Sequence, residues 1–203
     1  GEGLAELERL AEGLPPGFVI APTGLSLEEQ VSGNQAPLLY ALSLAAIFLS
    51  LAALYESWAI PFAVMLAMPI GILGALSGAY FGGFENGVFF QVGLLTVIGL
   101  TGKNAILIVE FAKLETEKGK DPVEAAMTAA RLRFRPILMT AFSFILGVLP
   151  LLVASGAGAE ARKVMGMTVF SGMLVATLIG VLVVPALYVI VERYIARPKP
   201  AYD

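Results

Sequence analysis

The stretch from Val88 to Phe111, VFFQVGLLTVIGLTGKNAILIVEF, decides how this sequence is interpreted. A helix of this length and apolar character can cross the hydrocarbon core of a bilayer. Yet the stretch carries Lys103, which lies about 22 Å from the Val88 end and about 12 Å from the Phe111 end at 1.5 Å per residue. A charge at that depth is costly and usually has a function. The stretch therefore predicts a membrane helix with a functional lysine inside it.

Lys103 has a second interpretation, in which its long side chain carries the ammonium group to the membrane surface. A stem of about 6 Å covers only half the distance to the nearer end, which favours the functional interpretation. Such a lysine needs a carboxylate or a water-filled path beside it. None of the apolar stretches contains an aspartate. The missing partner, together with an N-terminal glycine in place of methionine, leads us to expect a piece of a larger assembly.

Four more apolar stretches accompany the first, so we predict an all-α membrane protein with five transmembrane helices. Aromatic residues at the ends of these stretches are typical of membrane–water interfaces. The composition agrees, because 58% of the 203 residues are apolar and only 14% are charged, well below the quarter or so usual in soluble domains. The predicted transmembrane domain covers residues 37–203, with spans at about 37–55, 61–81, 88–111, 136–155 and 164–191.

Residues 1–36 have a different character and predict a short α/β segment outside the membrane. Leucines at helical spacing (Leu4, Leu7 and Leu10) indicate an amphipathic helix. A strand at 18–21 and a second short helix at 26–32 are expected to follow. The segment is too small to hold a core of its own.

The basic residues predict the orientation of the chain. Loop 112–135 alone holds six of the 13 lysines and arginines. The positive-inside rule then places this loop and the C-terminus in the cytoplasm and the N-terminal segment outside. Within the loop, Asp121 is suited to cap a helix and Pro122 to its first position. We therefore predict an interfacial helix at about 121–134 on the cytoplasmic surface, leading into the fourth span.

Several classes of function are excluded by what the chain lacks. It has no histidine and no cysteine, which removes zinc sites, thiol chemistry and histidine bases. We find no phosphate-binding loop, nucleophile–base pair or metal cluster, so we expect neither an enzyme nor a metal or cofactor site. The net charge of −3 and the absence of a basic face argue against nucleic acid as a partner.

Other polar residues in or near the spans each have two interpretations. The Thr140 and Ser143 hydroxyls can bond a preceding carbonyl of their own helix, or they can take part in a relay. Arg133 can be a cytoplasmic anchor or a functional group. Glu110 shares a helix face with Lys103 and is more simply explained as an interfacial charge, whereas Asn104 adds a polar group beside the lysine.

A stripe of small residues in the second span has a structural explanation. Gly71, Gly74, Ala75 and Gly78 share one helix face, which lets another helix approach closely. If the packing partner belonged to a missing part of the protein, this stripe would meet lipid and the five spans would be unstable alone.

Long ordered motifs strongly resemble the resistance–nodulation–cell division (RND) efflux pumps, most of all their hydrophobe/amphiphile multidrug branch. The motifs are SGNQAPLLYALSL, LAALYESWAIPF, FFQVGLLTVIGLTGKNAILIVEFAK and RLRFRPILMTAFSFILGVLPL, and the resemblance runs from about Leu4 to Tyr194. It implies that the chain corresponds to the C-terminal part of such a pump, namely the last five of twelve spans. Residues 1–36 then correspond to the end of the periplasmic porter region.

The resemblance also implies roles for individual residues. In the family, a pair of aspartates in the first half of the membrane domain faces a lysine, a threonine and an arginine from the second half. The GKNAIL motif matches that lysine to Lys103, and RPILMT matches the threonine to Thr140 and the arginine to Arg133. Together with Asn104, these residues are expected to form part of a proton relay. The aspartate pair is absent here, which accounts for the lone lysine.

The partners expected from the resemblance are those of a tripartite exporter. They are the N-terminal part of the pump with its aspartate pair, two further copies in a homotrimer, a periplasmic adaptor and an outer-membrane channel. The expected location is the bacterial inner membrane, and the energy source is the proton-motive force rather than a cofactor.

Two other functions remain open on the residues alone. The chain could be a non-transporting structural or regulatory membrane fragment, since it lacks the aspartate pair and the porter domains. A metal-ion exporter of the same superfamily is weaker, because the spans contain no constellation of histidine, cysteine or aspartate.

Overall fold

The computed structural model describes residues 2–11, 13, 15, 23–85 and 87–194, and within them the regular structure is entirely helical. Five of the six helices contain a segment long and apolar enough to cross a membrane. The predicted all-α fold with five transmembrane helices is thus confirmed. The helices are α1 (Glu2–Ala11), α2 (Leu25–Tyr55), α3 (Ala59–Gly82), α4 (Val88–Glu117), α5 (Pro122–Leu152) and α6 (Ala159–Tyr194).

The N-terminal part contains the predicted first helix, and residues 26–32 are also helical, as predicted. Helix α1 is present, and its leucines Leu7 and Leu10 are exposed. The predicted strand at 18–21 lies outside the described residues. The predicted short helix 26–32 and the first span form one helix, α2, because nothing in residues 33–37 interrupts the backbone. A single proline within such a stretch is tolerated in membrane helices.

Helix α5 also joins two elements that the sequence separates. Of residues 121–134, predicted to lie on the membrane surface, Asp121 caps α5 and the others form its first part, and the helix continues through Pro136 to Leu152. At 1.5 Å per residue the helix is about 46 Å long, more than a hydrocarbon core of about 30 Å requires. The N-terminal part of α5 can therefore extend beyond the apolar layer, but its position at the surface remains a prediction.

The start of α5 has the predicted cap. The Asp121 side chain accepts a hydrogen bond of 3.1 Å from the Val123 backbone N–H, and Pro122 occupies the first turn. Asp121→Ala is expected to lower the free energy of unfolding by about 1 kcal/mol, because one N–H of the first turn loses its partner. Thermal unfolding in detergent measures the effect. Asp121→Asn, which keeps an acceptor oxygen, serves as the control, and an equal loss in both variants would contradict the capping role.

The bundle is organised around α6, which packs against α3, α4 and α5. Close approach depends on the small-residue stripe of α3. A Cβ at Gly71 would overlap the Thr101 side chain of α4, and a Cβ at Gly74 would lie 2.6 Å from Cβ of Val175 in α6. The predicted packing function of the stripe is confirmed. The expectation that the stripe would meet lipid in the isolated spans is wrong, since its partners are α4 and α6 of this same chain.

Helix α2 stands at the side of this bundle. It packs on α3 and touches α4 only slightly, and most of the side chains in its segment Leu38–Tyr55 are exposed or half-buried. Two polar contacts link it to α4. In the middle of α2, the Tyr40 hydroxyl donates a hydrogen bond of 3.2 Å to the Gln91 carbonyl. At the C-terminal end of α2, Lys113 Nζ donates one of 3.0 Å to the Tyr55 carbonyl.

Candidate functional site in helices α4 and α5

Lys103 lies on the exposed side of α4. Among the hydrogen bonds and ion pairs of the described residues, none involves its ammonium group. Val92, Thr96 and Gly99 share this side and are exposed as well, and we call the four residues the open face of α4. The opposite side of the helix is buried against α3, α5 and α6. The predicted lysine thus points away from the packed interior of this bundle.

The openness of this face has two further signs. The Thr96 hydroxyl is exposed and donates its hydrogen bond to the Val92 carbonyl of its own helix, 2.9 Å away. A Cβ at Gly99 would have nothing within 4 Å. A charged group in the middle of an apolar helix, on a face with room for another segment, is suited to interact with a carboxylate supplied from outside this chain.

Asn104 lies next to Lys103 in the sequence but faces inward. It is half-buried and lines a small cavity between α4, α5 and α6, together with Thr101 and Ile137. The structure therefore separates Asn104 from Lys103. One belongs to the interior of the bundle, and the other belongs to the open face.

Arg133 of α5 contacts α4. Its guanidinium carbon lies 3.5 Å from the centroid of the Phe111 ring, which is a cation–π distance. Its Nε is buried and has no hydrogen-bond partner among the described residues. Thr140, two turns further along α5, is exposed, and its hydroxyl donates a hydrogen bond of 3.0 Å to the Ile137 carbonyl. For Thr140 and Ser143 the structure thus shows the bond to a preceding carbonyl that the sequence left as one of two interpretations.

The contacts between α4 and α5 place these residues along the bundle. Arg133 is level with Phe111, and Ile137 lines the cavity beside Asn104. Ala141 belongs to the same core cluster as Val97. Thr140 therefore lies at about the depth of Lys103, while Arg133 lies nearer the loop that joins the two helices. No hydrogen bond or ion pair links the four predicted relay residues within the described part of the chain.

The turn between α4 and α5 is fixed by an acidic residue that sequence reasoning did not single out. Glu115 is almost buried and forms ion pairs of 2.6 Å with both Lys118 and Lys120. The hydrogen bond to Glu115 holds the pKa of Lys120 above its ordinary value. This cluster holds the beginning of the loop, residues 118–120, against the C-terminal end of α4.

Two buried threonines with hydroxyls unpaired within the described part of the chain, Thr101 and Thr177, were also not identified from the sequence. The hydroxyls of Thr96, Thr140 and Thr168 bond a carbonyl three or four residues back. In contrast, those of Thr101 and Thr177 are buried and have no hydrogen-bond partner among the described residues. Burial alone does not separate the two groups, because Thr168 is fully buried and still bonds the carbonyl four residues back.

The fold and this site together define a multi-pass membrane protein with a charged residue inside a span. Comparison with known families gives the class. The model of the AcrB/AcrD/AcrF family matches residues 1–192. The chain belongs to this family, which confirms the resemblance to the RND efflux pumps.

Similar proteins carry names of efflux transporters. The chain is 53% identical over 202 residues to the multidrug resistance protein MdtF of Escherichia coli O6:H1, covering 99% of this chain and 20% of that protein. It is 51% identical over 203 residues to the toluene efflux pump membrane transporter TtgB of Pseudomonas putida, covering 100% of this chain and 19% of that protein. The identity to the multidrug export protein AcrF of Escherichia coli is 53% over 194 residues, 95% of this chain and 19% of that protein. The chain thus spans about a fifth of the length of these relatives.

Proposed function

We propose that this chain forms the C-terminal half of the membrane domain of a proton-driven exporter of hydrophobic and amphiphilic compounds. The observation that carries the proposal is Lys103, a lysine in the middle of a span on the open face of α4. The family membership supports it, as do relatives named for multidrug and toluene efflux. The proton-motive force, rather than a cofactor, supplies the energy.

In this proposal Lys103 faces two aspartates of a helix that is not part of this chain. An ammonium group beside ionised carboxylates favours their charged form, and protonation of one of them weakens the attraction. The lysine is then free to turn toward another partner. Two packings of the helices alternate with the proton load, which is how a proton gradient can drive a conformational cycle.

The other relay residues have supporting positions. Thr140 lies at about the depth of Lys103 and has an exposed side chain. Arg133 stands between that level and the basic loop, and it keeps an unpaired N–H among the described residues. Asn104 faces the interior cavity, so we assign it a supporting rather than a direct role.

The proposed setting is the inner membrane of a bacterium. The segment before the first span lies in the periplasm and the C-terminus in the cytoplasm, in accordance with the distribution of basic residues. The partners are the N-terminal part of the pump with its aspartate pair, a homotrimer of such pumps, a periplasmic adaptor and an outer-membrane channel.

Proton-coupled transport by the full-length protein tests the proposal. The protein is reconstituted in liposomes with an internal pH dye, a proton gradient is imposed, and ethidium is added as an amphiphilic cation. We expect ethidium movement together with proton flux in the opposite direction, and both should stop when a protonophore is present. Ethidium movement that persists without a proton gradient would contradict proton coupling.

A second candidate function is a non-transporting structural or regulatory module. The favouring observation is that α3 to α6 pack on one another within this chain, so a five-span product could assemble by itself. The mass of the native protein in source membranes separates the two candidates. A band about five times larger than 21.3 kDa supports the exporter, and a band near 21.3 kDa supports the separate module.

A further inference from the structure

The three arginines near the start of the fourth span have different environments. Arg131 and Arg135 are exposed, whereas Arg133 is half-buried with its Nε fully enclosed. Two residues along a helix correspond to a rotation of about 200°, so the middle arginine lies on the side opposite its neighbours. Arg133 is therefore the member of this group that turns toward α4.

The group that receives Arg133 is an aromatic ring. The guanidinium carbon lies 3.5 Å from the centroid of Phe111, which is van der Waals contact with the centre of the ring face. The negative face of an aromatic ring attracts a cation, and the attraction is strongest where water is excluded. Within the described residues no carboxylate forms an ion pair with Arg133; the ion pairs found there involve Arg9, Lys113, Lys118 and Lys120.

This contact has a property that a salt bridge lacks. A carboxylate would occupy the N–H donors of the guanidinium, since bidentate pairing uses two of them. A phenyl ring attracts the charge through its π face and accepts none of the in-plane N–H groups in a conventional hydrogen bond. The arginine is thus held in place, and no carboxylate among the described residues occupies its Nη donors.

The position of the contact relates it to Lys103. Phe111 follows Lys103 by eight residues, about 12 Å along α4. In the other direction, Glu115 lies one turn beyond Phe111. Its ion pairs with Lys118 and Lys120 hold the start of the loop that leads to α5. Arg133 consequently stands between the level of Lys103 and the loop that joins α4 to α5.

We propose that Phe111 is a positioning residue, which holds the Arg133 guanidinium against α4 by a cation–π contact and keeps its Nη donors available to the proton path. The inference rests on the proposed function, because it assigns Phe111 a part in the same relay. Phe111 itself does not exchange a proton. It acts only through the placement of Arg133.

Stepwise fluorination of Phe111 tests this role in the full-length protein. Mono-, di- and trifluorophenylalanine keep the shape of the ring almost unchanged while they withdraw electron density from its face. We expect proton-coupled ethidium transport in liposomes to fall with each added fluorine, to about a tenth of the original rate in the trifluoro protein. The melting temperature should stay constant, because packing is preserved.

Phe89 provides a matched control on the same helix. It is exposed and has no cation over its ring among the described residues, so the same fluorination series there should leave transport unchanged. A flat series at Phe111, or an equal decline at Phe89, would overturn the proposal. Lys103→Ala is measured in parallel. Normal transport by that variant overturns the relay as a whole, whereas its loss together with a flat Phe111 series overturns only the role of Phe111.

Discussion

Lys103→Ala in the full-length protein is expected to reduce proton-coupled transport at least about a hundredfold, to the background of empty liposomes. The side chain is exposed on the open face of α4, so its removal leaves no cavity in the bundle. We therefore expect normal amounts of protein in the membrane and an unchanged oligomeric state. In the proposed relay, the loss arises because the aspartates supplied by the rest of the pump no longer have a cation that responds to their protonation.

The controls for this prediction use another lysine and another cation. Lys163→Ala removes a lysine near the start of α6, far along the chain from the open face, and should transport at the normal rate. Lys103→Arg keeps a charge but adds a planar, permanently protonated group, and we expect it to be strongly impaired. Ethidium-driven proton flux in liposomes measures transport, and a blot of the membrane fraction measures the amount of protein in the membrane. Normal flux through Lys103→Ala would remove the basis of the relay.

The number and type of the spans could be predicted because the relevant information is local. An apolar stretch of about twenty residues must satisfy its backbone internally once it is in a bilayer, so length and hydropathy are enough to predict a helix. The same holds for the stripe of Gly71, Gly74 and Gly78, whose spacing on one face indicated close helix packing before any partner was known.

The continuity of α2 and α5 could not be predicted with the same rules. The predicted elements were separated at residues 33–36 and just before Pro136, yet the backbone continues through both places as one helix. A proline removes one hydrogen bond and adds a steric conflict, but neighbouring groups in a membrane bundle can compensate for it. The strength of such a signal therefore depends on packing that the sequence does not display.

The candidate site shows the same division between local and tertiary information. Lys103 was recognisable from its depth in a span, and the absence of aspartates predicted that its partner lies elsewhere. The stacking of Arg133 on Phe111 was not recognisable, since the two residues are 22 positions apart and meet only when α4 and α5 pack in one particular register. The unpaired hydroxyls of Thr101 and Thr177, which lack a partner among the described residues, belong to the same category.

Gly74→Ala is the substitution expected to destabilise the bundle most clearly. In the middle of a helix, alanine has a higher helix propensity than glycine by about 1 kcal/mol. Helix propensity alone therefore predicts that the substitution raises the free energy of unfolding. At Gly74, however, the added Cβ would lie 2.6 Å from Cβ of Val175, 2.9 Å from the Ser171 carbonyl oxygen and 3.1 Å from Cα of Gly172. None of these atoms can move by side-chain rotation, so α3 and α6 must separate. We expect a net loss of about 2 kcal/mol or more.

Gly147→Ala is the matched control, because Gly147 lies within α5 and a Cβ there meets nothing within 4 Å. Here no steric overlap offsets the higher helix propensity of alanine, and the variant should be as stable as the original or slightly more stable. Opposite signs for the same chemical change would show that the contact between α3 and α6, rather than glycine as such, determines stability. Thermal unfolding in detergent measures both variants. A gain in stability at Gly74 would mean that α3 does not approach α6 this closely, and the stripe would then lose its role in holding the bundle together.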